Sequence, residues 1–580
     1  MRTRRLTGPS SHGTTRARST GLFLLAVVSI VAALAVARGQ AATDPALVTA
    51  AKDGDVSTVR TLITRRVNVN EPARDGSTAL LWAAYHSNLD MAKALIAAGA
   101  SANTPNRYGI TPLLQAARSG DAALVGALLK AGATLAVTHP DGETPLMAAS
   151  RSGHADAVKL LVEAGADVNA ADMWQEQTAL MWAAAEGHVD VVDTLLKAGA
   201  DPNRRAHVTT QQERKHADHP TGGFSALMFA VRNGHEDVAK ALIKGGADPK
   251  VTNGDGVTAT IAAIVNDRFD LAKTLIELGA DANDGSLYFA VDMHDATTDM
   301  RARDGSRLRA DHRNTLTSMD LIKLLLDRGA DPNKAFVGQL HNYTLCCSDE
   351  INASPFYRAA VASDVDVLKV LLDKGAKVEW SPSEVKKESA SGGGGGGGRG
   401  MNGNVGKTPI MMAMAGGRGA PFGGGPGFER LGLPPFREPG TRDPLEATKL
   451  LLGAGANPNV KAPDGSTPLH QAVAARQVPI IRALAAAGAK FDLTNKDNLT
   501  PLQLAEKPEK TDKDSQAANT DPNRVERRRD SREDVIAALR ELMGLGPNDP
   551  TPVPPPDPTK TNDKKDDKKA EDEDVGAAGN

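Results

Sequence analysis

Several groups of residues have types and spacings that can do chemistry. His216 and His219, with Asp218 between them and His207 upstream, present the H-x-x-H spacing of a divalent-metal site. A loop without a fixed scaffold rarely holds an ion with so few ligands; the reading set against it is an ordinary loop, and no metal or cofactor is expected. Gly403-Asn404-Val405-Gly406-Lys407-Thr408 ends like a phosphate-binding loop, but that motif needs glycine at 401 and the chain has Met401. Adjacent Cys346 and Cys347 admit a strained vicinal disulfide, a cross-link to a partner, or two plain loop thiols. His154, His188 and His235 each follow a glycine in a recurring turn and are read as structural. No G-x-S-x-G or H-E-x-x-H pattern occurs, so no catalytic constellation stands out and the chain is not read as an enzyme.

The elements that carry these residues repeat. Gly-Ala pairs close predicted helices at Gly99, Gly132, Gly165, Gly199, Gly246, Gly279, Gly329, Gly375, Gly455 and Gly488, four of the intervals being 33 residues. The unit is clearest over residues 141–175. Asp141-Gly142 makes a turn, Thr144 caps a first helix with Pro145 at its first position, and Leu146 and Ala149 face inward. A second helix buries Val158, Leu161 and Val162 before Gly165 supplies a left-handed turn, and residues 167–175 cross back as a hairpin-like finger.

This unit resembles the ankyrin repeat, whose T-P-L-H signature stands complete at Thr467-Pro468-Leu469-His470, with Gly488 closing the same repeat. Thr111-Pro112-Leu113, Thr144-Pro145-Leu146 and Thr500-Pro501-Leu502 keep its first three residues, whereas Ala79, Ala179 and Ala226 replace the proline. The resemblance implies an all-α fold, an ankyrin-repeat solenoid of about 12 helix-turn-helix units over residues 42–546 with β-hairpin-like fingers. Such a stack buries its core between neighbours, which small alanines permit. Length therefore does not mean several domains.

Insertions are expected at 204–222, 336–352 and 381–405 in the fingers, and at 293–316, 416–441 and 507–532 between the helices of a unit. The glycine run at 392–398 and the Gly/Pro-rich 416–436 are expected to loosen the stack between Trp380 and Arg442. Residues 547–580, proline-rich and then charged, are expected to be a disordered tail.

Residues 1–41 hold six arginines and no acid around an apolar run at 21–37, the pattern of a signal peptide cleaved after Ala41; an uncleaved membrane anchor is the alternative. Export of bacterial type follows, to the periplasm or outside the cell. Without this segment 62 bases face 71 acids, so the formal charge moves from -3 to -9 and nucleic acid is not the expected partner.

The resemblance implies a scaffold that binds another protein through concave helices and fingers. Trp82, Trp182, Phe229 and Phe289 fall in one column on the first helix, read either as a partner-binding strip or as packing that stiffens the stack. Met173 and Trp174 lie at a finger tip with little to pack against. The function expected is a non-catalytic binding scaffold; alternatives are a secreted effector acting on another cell, an enzyme built on insertion loops, and a structural spacer.

Overall fold

The computed structural model describes residues 44–135, 139–208, 222–295, 314–338, 351–382, 406–414, 443–507 and 530–553. The expected N-terminal address at 1–41, His216, His219, Asp218, Cys346, Cys347 and the glycine run lie outside them, as do residues 554–580. Among the described residues the fold is all-α, with 24 helices in consecutive pairs and one short two-stranded antiparallel hairpin.

Two compact units divide the chain, residues 1–149 with 156–166, and residues 150–155 with 167–580. The first contains α1 (Ala46–Lys52), α2 (Val56–Thr64), α3 (Ala79–Tyr85), α4 (Leu89–Ala97), α5 (Pro112–Ser119) and α6 (Ala122–Lys130). Next come α7 (Pro145–Arg151) and α8 (Ala155–Glu163), where the division falls. The second unit continues with α9 (Ala179–Glu186), α10 (Val189–Lys197), α11 (Ala226–Asn233), α12 (Glu236–Lys244), α13 (Ala259–Val265) and α14 (Phe269–Glu277). Then follow α15 (Ser286–Asp295), α16 (Ser318–Asp327), α17 (Pro355–Ala362), α18 (Val365–Asp373), α19 (Pro409–Met414) and α20 (Pro444–Gly453). The last four are α21 (Pro468–Ala474), α22 (Val478–Ala486), α23 (Pro501–Glu506) and α24 (Arg532–Leu542). Strands β1 (Phe336–Gly338) and β2 (Ile351–Ala353) pair Phe336 with Ala353 at the root of the expected 336–352 finger insertion.

Nine of the twelve described first helices start where a Ser or Thr oxygen accepts an amide of their first turn. Thr111 takes Leu114 N–H at 3.1 Å, Thr144 takes Met147 N–H at 3.1 Å, and Ser354 takes Tyr357 N–H at 3.2 Å. Capped this way, helices of six to eight residues can form, although such lengths are marginal in isolation. Their stability comes from packing: Leu113, Leu146, Leu180, Leu227 and Leu469 are all buried against neighbouring pairs, as are Val158 and Leu161. Val162, expected inside, is half-exposed.

A second set of bonds joins successive pairs. Asn203 donates from its side-chain amide to the Gly246 carbonyl at 3.0 Å and accepts the Asp248 N–H at 2.7 Å. Asn70, Asn103, Asn169, Asn283, Asn333 and Asn459 make the same two bonds to the next Gly-Ala turn. The asparagine suits this because one amide group both donates and accepts. At the equivalent place Glu379 accepts Asn457 N–H at 2.6 Å, bridging the 381–405 and 416–441 insertions. Ser363 also donates to the Ala413 carbonyl at 2.7 Å, and Gln477 to that of Met414 at 3.1 Å. The one described helix between Trp380 and Arg442, α19, is thus held from both sides, while the segments expected to loosen the stack lie outside the described residues.

The signature histidine works through the same cap. His470 is buried; its Nε2 lies 2.9 Å from the Leu499 carbonyl and its Nδ1 2.8 Å from the Thr467 hydroxyl. Nδ1 also accepts the Thr467 N–H at 3.3 Å, so the ring fits as the neutral tautomer with hydrogen on Nε2. Burial holds its pKa below the usual 6.5.

Part of the expected tail is ordered. Arg540 donates to the Gly546 and Asp549 carbonyls at 3.0 and 2.9 Å and to Glu506 at 2.7 Å, while Thr551 donates to the other oxygen of Glu506 at 2.7 Å. Residues 547–553 are therefore strapped to α23 and α24, a correction to the disordered tail expected from 547 onward.

Three outcomes follow for stability. Gly199 has φ +89° with open space around a Cβ, so Gly199→Val should cost about 1–3 kcal/mol through backbone strain alone, and Gly165→Val likewise, read by urea denaturation. Asn203→Ala, which removes two bonds at about 0.5–1.5 kcal/mol each, should speed hydrogen exchange of the Asp248 amide. Because the folded pKa of His470 is depressed, the unfolded chain binds the extra proton first, and stability should fall as pH drops through 6.5. Hydrogen exchange over α21 to α24 at pH 7.5 and 5.5 measures this, and His470→Gln should flatten the dependence.

Candidate partner-binding surface

The column expected on the first helices splits into three situations. In the first unit Trp82, on α3, is half-buried, with Lys52 Nζ 5.5 Å from its ring centroid and Tyr85 edge-on at 5.4 Å. In the second unit Trp182, on α9, is half-buried with the Arg151 guanidinium 5.3 Å from its centroid. In both cases a cation at the end of one first helix lies over the ring of the next, a contact that links repeats whatever else it does. Phe229, on α11, is half-buried against Phe224 at 5.5 Å, over which Arg232 lies at 6.0 Å.

Phe289 is different and corrects the expected strip. It is only 1% exposed, with Phe336 edge-on at 4.8 Å and Tyr288 at 5.2 Å, so it fills core and offers nothing to a partner. Phe336, at the root of the hairpin insertion, is what covers it.

Further along the column a polar network takes over that carried no local signal in the sequence. Arg358, buried on α17, donates through Nε to Asp292 at 2.5 Å, and His294 lies 2.6 Å from Asp364, both buried. Burial, and then the Asp292 charge, push the Tyr288 hydroxyl well above its usual range; burial does the same to Tyr357. Both phenols stay neutral. Arg358, His294 and Asp364 are buried, whereas the Asp292 side chain is 20% exposed.

The finger at 171–178 is built to expose apolar surface. Ala171 pairs with Thr178 as an isolated antiparallel bridge, and Asp172 N–H donates to the Gln177 carbonyl at 3.0 Å. The Asp172 carboxylate accepts Trp174 N–H at 3.1 Å and Gln175 N–H at 2.7 Å, while His207 N–H of the following finger donates to the Gln175 carbonyl at 2.7 Å. On this fixed turn Met173 is 78% and Trp174 76% exposed. Tyr85 and Tyr108 are also exposed.

One residue of this finger departs from the glycine found at its position in other repeats. Glu176 sits in the left-handed region at φ 54°, two residues ahead of the helix cap, where Gly76, Gly109, Gly142, Gly223, Gly256, Gly406 and Gly465 stand in other fingers. The broken D-G-x-T pattern was the available signal.

Among the described residues no group of three or more His, Cys, Asp or Glu is placed to hold a metal, and no helix is long and apolar enough to cross a membrane. His207, near the metal candidates in sequence, lies 3.4 Å from Glu176. His188 and His235 contact the Arg151 and Ala185 carbonyls at 3.1 and 3.0 Å, the structural task expected of the turn histidines.

Core and finger should separate on truncation. Phe289→Ala should cost about 3–5 kcal/mol of stability, whereas Trp174→Ala should change it by no more than about 0.5, both measured by urea denaturation.

Comparison with known proteins bears on the same repeats. The family described as Ankyrin repeats (3 copies) matches residues 30–106, 47–139, 113–206, 208–286 and 441–511, together more than half of the chain. The gap at 287–440 spans the helices that carry Phe289 and Arg358 and the expected insertions at 293–316, 336–352 and 381–405. Among curated protein sequences nothing matches. Among solved structures the human ASB11 ankyrin repeat domain is similar, at 28% identity and TM-score 0.34 over 41% of this chain and 98% of that one. With capped helix pairs, Gly-Ala turns and matched segments in agreement, the chain belongs to the ankyrin-repeat family.

Proposed function

We propose that this chain is an exported, non-catalytic scaffold that holds a partner protein, with the finger at 171–178 as its main point of grip. Ankyrin repeats generally mediate protein–protein interaction, so a binding role is the family's default. The observation that carries the finer reading is the exposure of Met173 and Trp174 on a turn locked by Asp172. A rigid exposed indole binds at low entropic cost because its backbone is already ordered, and Trp is over-represented among residues that dominate interface energy. Trp82, Trp182 and Phe229, half-buried with cations nearby, would extend the contact along the first helices. The apolar run at 21–37, behind five arginines, supports export to the periplasm or beyond. The charge of -9 after its removal disfavours nucleic acid.

Affinity capture from a native envelope extract tests this reading. Trp174→Ala and Met173→Ala should each lower recovery of the captured protein at least tenfold while the helical circular dichroism stays at the wild-type level. Trp182→Ala should lower it less. Equal recovery by wild type and both finger variants would move the site elsewhere.

A further inference from the structure

We propose that Glu176 reads the partner's charge, and that the segment seated on this finger carries an arginine or lysine beside an apolar side chain. The inference rests on the finger being the docking site. Its starting point is a backbone the side chain does not suit. Two residues ahead of the helix cap, seven other described fingers place glycine and one places Asn498, the residue types that accept a left-handed conformation readily. Glu176 adopts φ 54° there, a conformation that side chains other than Asn and Asp seldom take. The other non-glycine residues at positive φ, Arg66, Ser87, Asp267, Ser363 and Arg476, lie at helix ends rather than in fingers.

The side chain returns little to the stack for this strain. Its side chain is 56% exposed, and its carboxylate lies 3.4 Å from His207 Nδ1. Asp172, by contrast, spends its carboxylate on the amides of Trp174 and Gln175. One finger thus combines a disfavoured backbone, an available anion and the exposed Met173 and Trp174. Strain retained where surface is offered to a ligand is the pattern of a functional residue. An anion next to an indole and a thioether complements a cation next to an apolar side chain, and such charge pairing at the edge of a contact chooses among partners.

The test uses the full chain as bait for a phage-displayed random peptide library, with the enriched peptides then synthesised and titrated against variants. Enriched peptides should carry Arg or Lys beside an aromatic or aliphatic residue. They should bind about tenfold more weakly to Glu176→Gly and Glu176→Gln, and also to Trp174→Ala. Glu176→Gly should at the same time unfold at equal or higher urea concentration, which separates lost recognition from lost structure; unfolding at lower urea would remove the premise of strain. Peptides that need Trp174 but bind both Glu176 variants as they bind wild type would leave the docking finger standing and overturn the role of Glu176. Peptides indifferent to Trp174→Ala, or a library that enriches nothing over the Trp174→Ala bait, would overturn the docking finger and this inference together.

Discussion

A pair of helices of six to eleven residues cannot bury its own apolar stripe, and every other feature of this chain answers that constraint. Burial has to come from the pair before and the pair after. Alanines such as Ala83, Ala116, Ala183 and Ala230, all fully buried, let the helices come close enough for leucine and valine to interlock. The finger asparagines then fix the spacing, because each one reaches the carbonyl of the next Gly-Ala turn at about the same length, 2.9 to 3.1 Å. Register between repeats is set by hydrogen bonds, and cohesion by apolar contact.

The two tasks tolerate different substitutions, which explains where the chain has diverged. Lys250 occupies a brace position and cannot both donate and accept there; Glu379 occupies another and keeps only the accepting half. Apolar burial continues past both, through Ile261 and Leu275 in one case and Ile410 and Leu451 in the other. The Arg358–Asp292 and His294–Asp364 pairs add buried polar contacts beside the rings in the middle of the second unit, and removing one partner there leaves the other without its bond.

Much of this was legible in the sequence, for physical reasons that also mark the limits. Thr144-Pro145 and Gly165 announce helix ends because cap and left-handed turn are local properties of one or two residues. The asparagine brace lacks that locality, because each one bonds to a turn 29 or more positions later and an exposed polar residue adds nothing to apolar periodicity. The burial of Phe289 is illegible for another reason. Its position in the repeat tells which way the ring points, but what covers it is Phe336, 47 positions later in the chain and beyond a between-helix insertion. Residues 547–553 were read as loose because proline-rich composition lacks a core, while the bonds that hold them come from Arg540 and Glu506, side chains with no compositional signature. The exposure of Met173 and Trp174 is legible because an apolar pair in a finger tip departs from the local pattern, and Glu176 departs from it in the same way.

The strap over the last helix pair has a consequence for growth. A repeat stack is a one-dimensional lattice, and an uncovered end is a surface on which another copy's end could crystallise, turn upon turn, into a fibre. Arg540 draws residues 546–549 back onto the pair, and Glu506 holds Thr551 in place. Leu502, Val535 and Leu539 beneath are buried. The strap holds residues 546–551 on the pair α23 and α24, where a second copy's repeat would have to displace them in order to stack.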